Sequence, residues 1–428
     1  MIWSRYNEFI QSESNFFLFN CRTKKWLIIV PELYKYLVNC KNIEDIRQIH
    51  PSLFKVLAEH NFVVEDAESE ISECMAEINE KLELSKTLKI TINPTLDCNL
   101  RCWYCYENHL KGSVMSPSII DSICKYVYKC LENFDYNKLQ FAFFGGEPLL
   151  QFNNVVEPLL RKIKLICEEH KVEFAVSFTT NGVLLVQRIR NEISTITRNV
   201  SVQIPFDGDS QSHNLIKQFR NGTGSYEIIK QNTRDSVIDG FRVTVRCNYT
   251  SQNICSFLYV IKDFEDLLSY PNLRFSFHKV WQEVSDNELK YKIKQLKSNL
   301  KDYCFKSNIN SYFGDSVNPC YGDYANNFVI NFNGDVFKCT ARDFKTEHRI
   351  GKLLENGEIA FNTYALKRVR KSSTTDCAVC RRLPICPICS QVKSESTDGK
   401  CPVRISSDEI RQNIRDYFMD LYSQNKVS

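Results

Sequence analysis

The run Asp97-Cys98-Asn-Leu-Arg-Cys102-Trp-Tyr104-Cys105 places three thiols within eight residues, with three and then two residues between them. Three thiolates so arranged hold three corners of an iron–sulfur cube and leave its fourth iron without a protein ligand. Such an iron adds little to structure, but it gives a small molecule a place to bind. The competing use is a zinc knuckle. Zinc takes a closed set of four ligands, usually offered as paired CxxC units, and no fourth cysteine stands nearby.

A second set of thiols lies toward the C-terminus: Cys320, Cys339, Cys377, Cys380, Cys386, Cys389 and Cys401. The two neighbourhoods hold ten of the 19 cysteines. The rest, such as Cys21, Cys124 and Cys167, stand singly in apolar surroundings and read as small core residues. The N-terminal Met1-Ile-Trp-Ser-Arg-Tyr-Asn is no charged leader followed by an apolar core. Many cysteines without a secretion signal point to a reducing, cytoplasmic setting in which thiols serve metals rather than disulfides.

A net charge of +4 over 428 residues is too mild to make nucleic acid the partner. The basic run Lys367-Arg-Val-Arg-Lys371 reads as a solvated face. No apolar stretch approaches the roughly 18 residues that span a bilayer, so no membrane partner is expected.

The elements that must position the thiols follow from pattern. Residues 1–85 read as a small separate unit, in which Phe16–Phe19 and Trp26–Val30 flank polar residues as a β-hairpin. Pro31 opens a helix, a second helix runs through Leu53, Val56, Leu57 and His60, and Asn61–Val64 follows as a strand. Glu65–Glu80 reads as a solvated connector or linker helix. From 86 to 300 strands and helices alternate. Strands are expected at Leu88–Asn93, Leu139–Phe144, Val172–Phe178, Val200–Phe206, Phe241–Cys247 and Leu273–His278. Ser116-Pro117 caps one helix, and Ile254, Phe257, Ile261, Phe264 and Leu268 mark the face of another. Six βα repeats predict an α/β fold whose parallel strands form a closed or partial (β/α)6 barrel. Its site would lie at the C-terminal strand ends, where the three-cysteine run begins. From 301 to 428 regular structure thins, and the chain is expected to fold around metal rather than a large apolar core, ending in a helix over Glu409–Tyr422.

Further chemistry falls on the same rim. Phe144-Gly145-Gly146-Glu147-Pro148 ends the second strand, with exposed backbone groups and a carboxylate that would hold a ligand amine. Thr179-Thr-Asn181-Gly182 ends the third, with polar groups suited to a ribose. Alternation turns Ser201 and Gln203, Arg242, Thr244 and Arg246, and Arg274, Ser276 and His278 inward. Taken singly, each of these also reads as hydrogen-bonded barrel filling. No general base stands out among Asp207, His278 and Asp343.

Cys98-Asn-Leu-Arg-Cys102-Trp-Tyr104-Cys105 with Gly145-Gly-Glu-Pro148 in such a frame resembles the radical S-adenosylmethionine (SAM) superfamily. The resemblance implies that the open iron chelates the methionyl amine and carboxylate of SAM, with Tyr104 near the adenine and Gly146–Glu147 holding the amine. Gln203 and Arg246 are the inward positions expected to meet the same cofactor. Reduction by an external flavodoxin- or ferredoxin-type donor would then yield a 5′-deoxyadenosyl radical.

The later cysteines resemble the SPASM extension, which carries two auxiliary [4Fe–4S] clusters. By that resemblance Cys377, Cys380, Cys386 and Cys401 hold the distal cluster, and Cys320, Cys339 and Cys389 the nearer one. Cys386-Pro-Ile-Cys389 departs from the family in having two intervening residues instead of three. Cys304 and an open iron are the two candidates for the missing ligand. The front unit resembles the winged-helix-like leader-recognition element of peptide maturases, whose hairpin edge would take a precursor peptide as an added strand. The resulting expectation is a radical enzyme that installs a thioether, a carbon–carbon crosslink or a related modification in a ribosomally made peptide. The rivals are a formylglycine-forming sulfatase maturase, an iron–sulfur electron carrier and a zinc-held scaffold. Against the first, Thr340 stands where such maturases place an Asp after the cysteine.

Overall fold

The computed structural model describes residues 1–12, 15–284, 286–309, 319–341, 344–365, 375–396, 398 and 400–426. Asp343 and Lys367–Lys371 lie outside the described residues. The chain divides into two compact units that are not continuous in sequence: 1–84, 311–325 and 370–428 in one, 85–310 and 326–369 in the other.

In the first unit β1 (Ile2–Trp3) pairs with β5 (Val63–Val64), and β2 (Asn7–Gln11), β3 (Phe16–Asn20) and β4 (Lys25–Ile29) form an antiparallel sheet in that order. The expected hairpin is β3–β4, and β2 is an addition to it. Helices Pro31–Asn39 and Pro51–Glu59 each begin at a proline, which fits the first helical turn because no N–H is needed there. Helix Ile43–Ile49 lies between them. Helix Ala67–Glu83 is capped by Asp66, whose carboxylate accepts from the N–H groups of Glu68 and Ser69. It is more than a solvated connector, because Glu70, Cys74 and Leu82 are buried. The C-terminal helix Ser407–Lys426 brings Ile414, Tyr417 and Phe418 to a core shared with Tyr6, Phe17, Phe19, Cys21, Cys377, Leu383 and Ile385. The cysteine-rich tail therefore has an apolar core as well as thiols, contrary to the expectation from sequence, and half of that core comes from the front residues.

In the second unit β6 (Thr87–Ile92), β7 (Lys138–Phe143), β8 (Glu173–Thr179), β9 (Val200–Phe206), β10 (Arg242–Tyr249) and β11 (Leu273–Lys279) are parallel neighbours in sequence order. They match the expected strands to within about two residues at each end. β12 (Asn327–Ile330) adds in parallel to the free side of β6, and β13 (Asp335–Phe337), β14 (Gly351–Leu353) and β15 (Ile359–Phe361) extend the sheet antiparallel. β11 and β15 are its two ends, so the barrel is partial and open. The burial of β9 alternates strictly: Val200, Val202, Ile204 and Phe206 are buried, and Ser201, Gln203 and Pro205 are half-exposed. One face thus packs beneath the helices, and the other is polar and accessible. The expected helix over Ile254–Leu268 is interrupted. Tight 3₁₀ turns at Ile254–Ser256 and Glu265–Leu267 flank a helix at Phe257–Asp263.

Candidate functional site

The loop that leaves β6 is closed at its base before it reaches the cysteines. Met115 N–H donates to Pro94 O, Leu110 N–H to Leu96 O, and Leu96 N–H to Ser113 Oγ. Asp97 caps the turn, accepting from Cys98 N–H at 2.8 Å and Gly112 N–H at 3.2 Å.

Gly145 and Gly146 let the loop after β7 press against this turn. A Cβ on Gly146 would stand 2.1 Å from Asp97 O, and one on Gly145 2.4 Å from Thr95 O. Gly145 also has a φ of +101°, which favours glycine. Backbone bonds seal the contact, with Glu147 N–H on Asp97 O at 2.8 Å and Gly146 N–H on Thr95 O at 3.2 Å. The Glu147 carboxylate has no exposure and is already engaged. It accepts from Leu149 N–H, the Thr180 hydroxyl and Asn181 N–H at 2.7–3.0 Å. Burial lifts it to about 7 against those three bonds. This carboxylate ties the ends of β7 and β8 together, so an amine at this loop would meet backbone rather than the carboxylate.

Cys98, Cys102 and Cys105 are free thiols. Burial pushes Cys98 up to about 12, with Glu147, Cys102 and Cys105 adding to the effect. N–H groups are aimed at two of the sulfurs: Leu100 N–H at 3.5 Å and Asn181 Nδ2 at 3.8 Å from Cys98, and Lys217 Nζ at 3.4 Å from Cys102. Cys105 has His109 Nε2 at 3.5 Å. Among the described residues no three His, Cys, Asp or Glu side chains gather closely enough for a single metal ion. A cube spreads its thiolates wider than one ion does. Three free thiols in one loop, with donors directed at sulfur, fit a cluster by ligand type and by surroundings.

Asn181 donates to Asn99 Oδ1 at 2.7 Å and accepts from Val183 N–H, so its amide braces the cysteine loop. The Tyr104 hydroxyl is equally engaged. It donates to Asp207 Oδ1 at 2.7 Å and accepts from Lys217 Nζ at 2.7 Å and Asn248 Nδ2 at 3.1 Å. Arg246 joins through Asn248, on which its Nε donates at 2.9 Å. Gln203 sits in register between Thr179 and Thr244 on the accessible face of the sheet. Ser276 and His278 pair at 2.8 Å, and burial, with Arg246 and Arg274, lowers His278 to about 4, leaving its ring neutral at pH 7.

Two groups of the site were not foreseen from the sequence. Lys217 is buried against Asp207 at 2.8 Å. Burial works against its charge, but Asp207, Cys102 and Tyr104 outweigh it and hold the ammonium protonated. Glu107 is raised to about 8 by burial, and neither of its carboxylate oxygens has a hydrogen-bond partner among the described residues. No spacing marks either residue in the sequence.

Within the other unit, burial raises Cys380, with Cys386, Cys377 and Cys401 adding to the effect. Cys320 and Cys389 are hydrogen-bonded. Helix Ala67–Glu83 and this cysteine segment, including Cys377 and Cys386, line a cavity of about 70 Å³. Cys339 belongs to the unit that holds the large sheet. Cys255 and Cys304 are exposed, unlike the buried cysteines with which they were grouped.

Residues 92–270 match the radical SAM superfamily model. This chain carries a radical SAM domain. Relatives of the chain include a probable GTP 3′,8-cyclase of Methanococcus aeolicus, 24% identical over 276 residues and covering 60% of this chain and 86% of that one. A cysteine-type anaerobic sulfatase-maturating enzyme of Clostridium novyi is 25% identical over 340 residues, covering 71% and 87%. The radical SAM cyclopropyl synthase TigE of Paramaledivibacter caminithermalis is 27% identical over 204 residues, or 42% of this chain and 41% of that one. Two solved structures share the fold around the radical SAM domain. Native anSMEcpe with bound AdoMet and the Cp18Cys peptide has a TM-score of 0.58 at 20% identity, covering 80% of this chain and all of that one. SuiB of Streptococcus suis bound to S-adenosylmethionine has a TM-score of 0.52 at 16% identity, covering 95% and 100%. The chain thus shares the fold of these two structures, with a radical SAM domain over residues 92–270.

Proposed function

We propose that the chain is a peptide maturase whose Cys98, Cys102 and Cys105 would hold a [4Fe–4S] cluster with SAM, which, given one electron by an external flavodoxin- or ferredoxin-type donor, would supply methionine and a 5′-deoxyadenosyl radical to take hydrogen from a ribosomally made precursor peptide. The product would carry a thioether, a carbon–carbon crosslink or a related change. The observation that carries the reading is the loop of three free thiols, ringed by sulfur-directed donors, at the C-terminal ends of parallel strands.

The surrounding residues have definable roles in this reading. Gly145 and Gly146 hold the cysteine turn against the end of β7, which leaves backbone groups to receive the methionyl amine. Asn181 and Tyr104 fix the loop from two sides. Gln203, Arg246 and His278 lie on the accessible face of the sheet, where cofactor or peptide would lie, and a neutral His278 there accepts or donates hydrogen bonds without adding charge. Cys377, Cys380, Cys386 and Cys401 are the ligands proposed for one auxiliary cluster, and Cys320 and Cys389 for the other.

Peptide capture is assigned to β4, which among the described residues pairs on one side only, with β3. Ile28 on that strand is 61% exposed. Both features suit an added strand, and the SuiB and anSMEcpe structures with bound peptide support a peptide substrate.

The decisive experiment is anaerobic reconstitution followed by dithionite and SAM. The expected protein is brown, holds about twelve irons as three four-iron clusters, and releases 5′-deoxyadenosine. A colourless zinc protein rules the proposal out. Ile28→Lys should weaken binding of the precursor peptide about tenfold, while peptide-independent cofactor cleavage is retained.

The sulfatase-maturase reading draws on the Clostridium novyi relative. Against it, Thr340 follows Cys339 where that activity calls for an Asp. Formylglycine formed in a Cys- or Ser-containing sulfatase peptide would establish that reading.

A further inference from the structure

We propose that Lys217 is a positioning residue for the Cys102 thiolate, and that its ammonium raises the reduction potential of the cluster held by Cys98, Cys102 and Cys105. The inference rests on the proposed reading that a cluster binds there.

Lys217 ends the helix Ser210–Ile216. Its N–H donates to His213 O at 2.7 Å, and its own carbonyl accepts from the Ser225 hydroxyl at 2.8 Å. The backbone is therefore fixed on both sides, and the side chain, 3% exposed, has one course to follow. An ammonium has three N–H groups, and three acceptors surround this one: Asp207 Oδ2 at 2.8 Å, Tyr104 Oη at 2.7 Å and Cys102 Sγ at 3.4 Å.

The other members of the network are held by their own partners, with Asp207 Oδ2 meeting the ammonium as an ion pair and having no hydrogen bond among the described residues. Tyr104 accepts from Lys217 and Asn248 and donates to Asp207. The Asp207 backbone is held by Asn253 Nδ2 on its carbonyl and by His213 Nδ1, which accepts from its N–H. The sulfur is the one of the three acceptors that would also be an iron ligand, and the ammonium already stands 3.4 Å from it.

A buried Lys–Asp pair is seldom kept for stability, since apolar side chains of similar volume serve as well or better. Here the pair directs a fixed positive charge at a prospective iron ligand. A donor and a positive charge at a cluster sulfur favour the state holding the extra electron, so the potential rises. Asp207, 2.8 Å from the ammonium, keeps it in place and tempers the effect.

The test uses the reconstituted full chain, by potentiometric titration read through the paramagnetic signal of the reduced cluster that SAM perturbs. Thermal unfolding is followed in parallel. Lys217→Met should move that midpoint to a more negative potential, while the SAM-insensitive signals stay unmoved. Lys217→Gln keeps a donor without the charge and should fall between wild type and Lys217→Met. It also stands in if the methionine variant fails to retain iron. Lys217→Arg should lie nearer wild type than Lys217→Gln. Loaded Met and Gln variants with the wild-type midpoint would overturn the inference and leave Lys217 a structural residue. A wild-type protein with no SAM-sensitive signal would instead overturn the underlying functional reading.

Discussion

At Gly146 the space for a side chain is already taken by Asp97 O, 2.1 Å from where a Cβ would stand. Gly146→Ala must therefore push the Cys98 turn away from β7, at a cost of about 1–3 kcal/mol. The checks are a lower urea midpoint and weaker SAM binding, whereas Gly112→Ala, with nothing within 4 Å, should leave the packing unstrained apart from its φ of +72°. A second residue-scale consequence concerns His213. Burial lowers it to about 3, with Lys217 adding to the effect and Asp207 opposing it. Its Nδ1 accepts from Asp207 N–H, which commits the ring to the neutral form. The unfolded chain takes up that proton near pH 6.5, whereas the folded one does so only near 3. Stability is thus intact above about 6.5 and falls as the pH drops through that window, by up to about 1.4 kcal/mol per pH unit from this one group. His213→Asn should flatten the acid side of the unfolding-free-energy profile measured from pH 6.5 downward. An unchanged slope would show that the ring titrates normally.

At the scale of elements, the Glu8 carboxylate of β2 is 4% exposed and receives Arg381 at 2.9 Å and Arg415 at 2.8 Å. Arg381 also donates to the carbonyls of Arg5 and Asn7, so one strand, the cysteine segment and the last helix meet at one carboxylate. Glu8→Ala leaves two partly exposed guanidinium groups without their shared acceptor. It should cost about 1–3 kcal/mol, read as a lower midpoint for the transition that reports Trp26 fluorescence. Neither β2 nor this junction was visible in the sequence, because Asn7–Gln11 lacks clean alternation and its partners lie some 370 and 400 residues away. The six parallel strands were legible for the opposite reason. Each has five or more residues with a strong two-residue period or a continuous apolar run, and that signal is local. β12 to β15 have only three or four residues each, too few to carry a period. The thiol spacing of Cys98, Cys102 and Cys105 was equally local, while Lys217 acquires its meaning only when residue 217 is folded against residue 102. Glu147 was recognised at its strand end, but not its role in tying Leu149, Thr180 and Asn181 together. Its place at a strand end was legible, and its burial was not.

For the whole molecule, the grouping of residues 1–84 with 370–428 changes what a truncation can test. A front unit that folded separately could be removed to abolish leader recognition while the tail kept its clusters. Here Tyr6, Phe17, Phe19, Cys21 and Cys74 contribute to the same core as Cys377, Leu383, Ile385, Ile414, Tyr417 and Phe418. Phe418 alone packs against the rings of Phe17, Phe19 and Trp26 at centroid separations of 4.9–6.1 Å. Burying side chains of this size contributes about 1.5–3 kcal/mol each. Removing residues 1–84 should therefore strip the support from Cys377, Cys380, Cys386 and Cys401 along with any peptide-binding surface. The expected outcome is a truncated chain that aggregates or, where it stays in solution, holds close to four irons instead of about twelve. The remaining signal should be the one that responds to SAM, because Cys98, Cys102 and Cys105 lie in the unit with its own large core. Recovery of all the iron in the truncated protein would show that the tail folds without the front residues and would restore deletion as a clean test of leader binding.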